Sequence, residues 1–297
     1  MITLDFIINA LSLGSTYALL ALGMVIVYGI LNLVNFAYGE LIMITGYSLF
    51  VLALTPVLPW IVMAVLAVGV AVLTSYLTER VAFRPVRESS PTAMLITSFA
   101  VSALLQNAAL LIISPRARGV PLPQAFSTSV AVLGQDIPIR NILAIVTSVA
   151  LLLLLVLLLR KTVLGIALRA ASDNFRMTRL LGVPANLVIS AAFAISGLLA
   201  GVVALFWVGR TASVTPTIGS APLLVAFVAT VIGGMRSLAG AVLGGYIYGI
   251  VFSLIGVLLP PAMMEFREAF MFVVVILILV FRPEGLIRSA YSSKRVG

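Results

Sequence analysis

Glu40 is the side chain around which chemistry can be sought first. It is the first acid after Asp5, and it stands within a long apolar stretch. An ionised carboxylate at the centre of a bilayer costs about 3 kcal/mol on insertion scales, so it has to face protein, water or an interface. Asn32, Asn35, Tyr38 and Tyr47 surround it in sequence. Two readings are open. The cluster can line a polar path, or mark a hinge where a broken helix exposes backbone groups. Alternatively, Glu40 caps a helix start near the inner surface and pairs with an arginine. Asn9, Ser12 and Thr16 fall on one helical face, and a polar stripe on a membrane helix turns inward. Gln106 and Asn107 add two amides inside another apolar run. Interhelical hydrogen bonding is the first role to expect of such groups, and solute contact the second.

Other chemistries are closed off. The chain has no cysteine and no histidine. Thiolate, disulfide and iron–sulfur chemistry therefore go, together with the commonest general base and metal ligand. No metal or cofactor is expected on this chain. It also has no G-x-x-x-x-G-K-[ST] phosphate cradle, so any ATP-driven step needs its motor on another polypeptide.

The elements that must hold these residues are membrane helices. Of 297 residues 62% are apolar and 9% charged, with mean hydropathy +1.25. A soluble domain is nearer ~25% charged. Uncharged runs fall at 6–31, 35–55, 57–78, 92–114, 139–159, 185–208, 222–234, 239–259 and 269–281. A crossing takes about 20 apolar residues, so the 222–234 and 269–281 runs must be tilted, re-entrant or extended by polar residues. The expectation is an all-α, polytopic bundle of eight to ten segments, forming one transmembrane domain over 1–297. Met1–Asp5 carries no basic residue, so the first run reads as a membrane segment and not as a cleavable signal.

Most basic residues cluster around 80–87, 160–179, 236 and 282–295, alternating with basic-poor stretches. The positive-inside rule puts these clusters in the cytoplasm and 115–140, 209–221 and 260–268 outside. The net charge of +9 is therefore topological, and the clusters never form one face for nucleic acid.

Three hydrophilic stretches, 79–90, 114–138 and 160–184, are long enough for a role of their own. The last reads as a short cytoplasmic helix: Ser172 or Asp173 caps its start, and Gly182 with Pro184 ends it. Phe175, Thr178 and Leu181 share one side, with Arg176 and Arg179 on another. Such a helix can rest in the membrane interface or serve as a knob for a cytoplasmic partner. Small residues recur every four positions at Gly197 and Gly201, at Gly240 and Gly244, and at Ala241, Gly245, Gly249 and Ser253. These stripes let helix backbones approach closely. Two glycine-interrupted regions, 28–47 and 232–246, lie in opposite halves of the chain, a pattern that points to an inverted repeat around a mid-membrane pathway.

Several stretches, in order, resemble one family. They are SLGSTYALLALGMVIVYGILNLVNFAYGELIMITGY (12–47), RVAFRPVRESS (80–90), LLQN (104–107), VLGIALRAASDNFRMTRLLGV (163–183), VATVIGGMRSLAGAVLGGYIYGI (228–250) and LVFRPEGLI (279–287). The chain is similar to the membrane subunits of high-affinity branched-chain amino acid ABC importers. That family usually reads Asn-Phe-Ala-His-Gly-Glu where this chain has Tyr38 in the histidine place; tyrosine keeps a hydrogen-bonding tip but does not become cationic near neutral pH.

The resemblance implies a type II-like ABC importer permease in the bacterial inner membrane. It would pair with a second permease, by precedent a paralogue. Two cytoplasmic ATPases would carry ATP and Mg, and a periplasmic binding protein would deliver the solute. The implied cargo is branched-chain or related hydrophobic amino acids, while relatives also carry urea, short amides or other small acids. Residues 170–183 become the coupling helix, with Asp173, Phe175, Arg176, Thr178, Arg179, Leu181 and Gly182 at the docking surface. Asn9, Ser12, Thr16, Asn32, Asn35, Tyr38, Glu40, Gln106 and Asn107 become candidates for the path. The alternative of a different class is an ion-coupled secondary transporter using Glu40.

Overall fold

A computed structural model describes residues 4–55, 58–123, 126, 128–132, 135–282 and 285–287, leaving aside the side chains of 132 and 173–176. Helices dominate because the long apolar runs leave each backbone amide nowhere to bond except within its own segment.

The first helix, α1 (Leu4–Leu31), is the hub. Every residue from Ser12 to Val27 is buried, as expected of a helix that is apolar all round and encased by others. It ends at Asn32, whose φ of 51° is left-handed, a conformation that asparagine tolerates better than most residues. A short loop leads to α2 (Tyr38–Ala53), followed by α3 (Trp60–Thr78). A π-helical turn (Glu79–Phe83) and the single turn α4 (Arg84–Val86) prolong α3 toward the basic end, so the hydrophilic stretch 79–90 is largely helix.

Next come α5 (Pro91–Ile112), α6 (Ile139–Lys161), α7 (Val163–Leu180) and α8 (Ala185–Thr211). The chain ends with α9 (Ser220–Gly233), α10 (Leu238–Leu258), a 3₁₀ turn (Pro261–Phe266) and α11 (Arg267–Phe281). Among the described residues, six helices are long and apolar enough to cross a membrane: α1, α3 with its extension, α5, α6, α8 and α10. The apolar helices α2, α9 and α11 have 16, 14 and 15 residues, too short to cross upright.

Among the described residues, four short strands accompany the helices. Strand β1 (Arg118–Gly119) pairs antiparallel with β4 (Ser213–Val214), and β2 (Ser129–Val132) with β3 (Gln135–Pro138). Both ribbons sit at the end where α1 begins: the Asp5 amide donates to Gln135 Oε1 at 2.9 Å, and β1 and β4 join the chain after α5 to the chain after α8. The basic loops gather at the opposite end. There Arg179 Nη1 meets Glu88 Oε1 at 3.0 Å, and Arg236 Nη2 donates to Asn32 Oδ1 at 2.5 Å. The amides of Leu286 and Ile287 bond the carbonyls of Ile232 and Gly233, closing the chain onto the same end.

Glycine stripes set the tightest crossings. A Cβ on Gly245 would overlap the Ala18 backbone, and one on Gly249 the Gly14 backbone, so α10 lies directly on α1. Gly244 and Gly240 bring α10 onto Ala229 and Gly233 of α9, while Gly197 and Gly201 bring α8 onto α3 at Ser75 and Val68. Ser75 Oγ donates across this last crossing to the Phe193 carbonyl at 2.6 Å. With no water to expel, contacts this close are what hold membrane helices together.

Two sequence expectations need correction. The 232–246 region is not a mid-membrane break: residues 234–237 form the tight inner turn of the α9–α10 hairpin. The second break is 212–219, between α8 and α9. The helix expected to start at Ser172 or Asp173 starts instead at Val163. Its cap is Thr162, whose Oγ1 accepts from the Gly165 amide at 3.0 Å, and Ser172 donates within the helix to the Arg169 carbonyl. A real cap outcompeted two cap-like residues that lie inside the helix.

Candidate functional site

The two breaks match. Asn32 and Ala212 are, among the described residues, the non-glycine positions with positive φ, at 51° and 50°. Each ends a long helix, and each precedes a short one. The long helices have 28 and 27 residues, the short ones 16 and 14. The α1–break–α2 unit returns from the basic end, whereas α8–break–α9 returns from the ribbon end, so the same pattern runs in opposite directions. Left-handed backbone costs an alanine about 1–2 kcal/mol. At Ala212 that cost is offset by bonds from its amide to the Val208 carbonyl and from the Val120 amide to its own carbonyl.

The short helices meet at their starts. Gly46 of α2 packs on Val208 and Val214 near the outer end of α8. Gly39, about 10 Å further in along α2, lies against Gly219 at the threshold of α9, where a Cβ on Gly39 would stand 2.5 Å from the Gly219 carbonyl oxygen. The first turn of α2 and the start of α9 thus pass backbone to backbone. Helix starts carry free N–H groups and the positive end of the dipole, and they favour negative charge nearby.

Glu40 sits in that first turn of α2 with 1% of its surface exposed. Its Oε1 accepts from Ser102 Oγ at 2.9 Å and from Gln106 Nε2 at 2.7 Å, both on α5. Its Oε2 is buried without a partner among the described residues. The arginine pairing weighed from sequence is therefore replaced by neutral donors from α5. Ser102 was not anticipated, although it lies one turn before Gln106 and shares its face.

The remaining path candidates divide. Asn35 is buried, and its Oδ1 accepts from the Ala37 amide at 3.1 Å, shaping the loop that launches α2. Tyr38 is buried with its hydroxyl against Gly23 of α1, where a Cβ would overlap it. Asn32 lies at the basic end on Arg236. Ser12 is fully buried, its Oγ accepting from Arg210 Nη2 at 3.0 Å and its carbonyl from Thr16 Oγ1 at 2.8 Å. Asn9 is half-buried on α1. Asn107 is exposed and bonds its own helix at the Ala103 carbonyl. Of the nine, Glu40 and Gln106 meet side chain to side chain across two helices, whereas Ser12 bonds Thr16 within α1 and Asn35 bonds Tyr38 within the turn that launches α2.

A second buried carboxylate, Glu79, opens the π turn after α3; its Oε2 accepts from Ser190 Oγ of α8 at 2.7 Å. The sequence places it at the start of the hydrophilic stretch 79–90, and nothing in its neighbours announces that the helix continues through it.

At the basic end α7 presents the second feature of interest. Its buried side, with Leu168 and Ala171, packs on the core, and Thr178 is buried too. Leu180 and Leu181 are 75% and 84% exposed beside Arg179. Gly182, at φ 83°, ends the helix in the left-handed conformation, and the Val183 amide reaches back to the Thr178 carbonyl at 3.3 Å. The expected docking side chains Asp173, Phe175 and Arg176 lie outside the described side chains.

A family model described as "Branched-chain amino acid transport system / permease component" matches residues 6–280. Curated relatives agree. The chain is 34% identical over 295 residues to the high-affinity branched-chain amino acid transport system permease protein BraD of Pseudomonas aeruginosa, covering 96% of this chain and 95% of the relative. It is 33% identical over 293 residues to the corresponding permease protein LivH of Escherichia coli, covering 94% and 93%. A probable branched-chain amino acid transport permease protein of Methanocaldococcus jannaschii is 30% identical over 295 residues, covering 94% and 90%. No solved structure gives a significant match. A multi-pass helical chain with two opposed half-helices, matched almost end to end by these relatives, belongs to the family of branched-chain amino acid transport system permease components.

Proposed function

We propose that the chain is the permease subunit of an ATP-driven ABC importer in the bacterial inner membrane, translocating branched-chain or related hydrophobic amino acids. A periplasmic binding protein delivers the solute, a second permease completes the pathway, and two cytoplasmic ATPases supply the driving force with their own ATP and Mg. The observation that carries this reading is the meeting of the starts of α2 and α9, with the buried Glu40 in the turn where they pass. Half-helices starting inside the membrane place dipole ends and free backbone groups where a polar solute needs them. The relatives' names supply the cargo class.

In this reading the Glu40, Gln106 and Ser102 cluster faces the path when the half-helices move apart. The α7 terminus, with Leu180, Leu181 and Arg179, docks on an ATPase. An exposed pair of leucines next to a basic flank fits a partner's apolar pocket with acidic surroundings.

A second reading, ion-coupled transport, draws on one observation, the buried Oε2 of Glu40 without a partner among the described residues. One experiment separates the two. Reconstituted into liposomes with its co-purifying ATPases and binding protein, the chain should take up leucine only when ATP is supplied. Uptake by the chain alone, driven by a proton or sodium gradient, would instead establish the carrier.

A further inference from the structure

A cavity of about 270 Å³ opens at the basic end between α1, α6, α7 and α10, and the transport reading leaves it unused. Arg169 and Ser172 reach it from α7, and Arg236 and Ser237 from the turn into α10. Its floor is aliphatic, with Ile26 of α1 and Leu159 of α6. Among the described residues no carboxylate lines it.

Three features give this cavity one electrostatic sign. Two guanidinium groups stand at its rim. Ser237 caps α10, accepting from the Gly240 amide at 3.0 Å, so the positive end of a 21-residue helix also lies there. Arg236 spends one donor on Asn32 and has others to offer, since a guanidinium carries five N–H groups. Gly29 is part of the lining, and a Cβ there would meet only Ser172 Cβ, at an ordinary 3.5 Å, so a larger side chain at 29 would extend into the cavity.

We propose that this cavity binds the phosphate headgroup of an anionic phospholipid of the inner leaflet, with Arg169 and Arg236 on the phosphate and the first acyl carbons on the aliphatic floor. A soluble phosphate would gain nothing from that floor. The position also fits. The cavity lies at the end where the basic loops gather, and basic pockets between transmembrane helices on the cytoplasmic side recognise acidic headgroups. The inference uses Arg169 and Ser172 in the middle of α7, and the docking reading uses Arg179, Leu180 and Leu181 at its C-terminal end.

The test needs no partner. The full chain in neutral detergent is titrated with phosphatidylglycerol, phosphatidylcholine or inorganic phosphate, and its thermal unfolding midpoint is followed. Phosphatidylglycerol should raise the midpoint by about 3 °C or more over phosphatidylcholine, with inorganic phosphate giving no increment. Gly29→Leu, which fills the cavity without touching a charge, and Arg169→Gln, which spares the Arg236–Asn32 bond, should each abolish the increment. An equal effect of phosphatidylcholine, an equal effect of inorganic phosphate, or a full increment in both variants would overturn the proposal.

Discussion

Glu40 shows how a single polar residue is tolerated in an apolar bundle and what it can then be asked to do. Its neighbours are neutral donors, so its negative charge, when present, is answered by Ser102, Gln106 and the start of α2, with no counter-cation in contact among the described residues. Replacing it by glutamine keeps the volume and an acceptor for Gln106. Glu40→Gln should therefore assemble normally yet lose at least tenfold in uptake, about 1.4 kcal/mol in the barrier, if the acid serves transport. Glu40→Ala removes the acceptor altogether and leaves two donors unsatisfied, adding about 1–3 kcal/mol of destabilisation. Uptake assays paired with detergent melting curves distinguish the two effects; full uptake by Glu40→Gln would reduce the cluster to architecture.

Elements impose the next constraint, through how closely they pass. A methyl group on Gly219 would overlap the Gly39 carbonyl, and both neighbours are backbone, which cannot swing aside. Gly219→Ala should cost about 1–3 kcal/mol by overpacking and depress uptake with it. Gly69 of α3 provides the contrast: nothing lies within 4 Å of a Cβ there. Gly69→Ala should leave transport intact and add about 0.5–1 kcal/mol, the helical advantage of alanine over glycine. A melting midpoint that moves the same way in both variants would contradict the crossing. The α7 terminus is tested by a different logic. Leu181 is 84% exposed, so Leu181→Ala should alter the chain's own stability by no more than about 0.5 kcal/mol. A fall in ATPase retention during co-purification then reads docking and not folding; unchanged retention in Leu181→Ala and in the Leu180→Ala, Leu181→Ala pair would remove α7 as the docking element.

At the level of the whole molecule, orientation is the property to test. Ser89 lies with the basic loops, and Ser129 on the ribbon at the opposite end, both exposed. With no native cysteine, single Ser89→Cys and Ser129→Cys variants give an unambiguous readout. In intact cells an impermeant maleimide should label position 129 and spare position 89 until the membrane is opened. Labelling of 89 from outside would invert the topology and, with it, the side on which an ATPase could dock.

The sequence by itself determined the membrane class, the location of nearly every helix, the end on which the basic loops gather and the glycine stripes that make close crossings. These are set locally: apolar run length, charge placement and i, i+4 spacing are written in consecutive residues. It also marked Glu40 and Gln106 as exceptional, because a polar group in such a run stands out against its neighbours. Only the tertiary structure decided that these two meet, that Ser102 joins them, that Asn32 serves the inner end and that Glu79 is buried within a continued helix. The second break shows why. Residues 212–219 carry no signal as strong as the glycines at 233–246, and Ala212 is left-handed because β1 and β4 hold it there, a pairing between segments roughly a hundred residues apart. A break sustained by distant contacts leaves little trace in its own residues, so the meeting of α2 with α9 became visible only once the chain had folded back on itself.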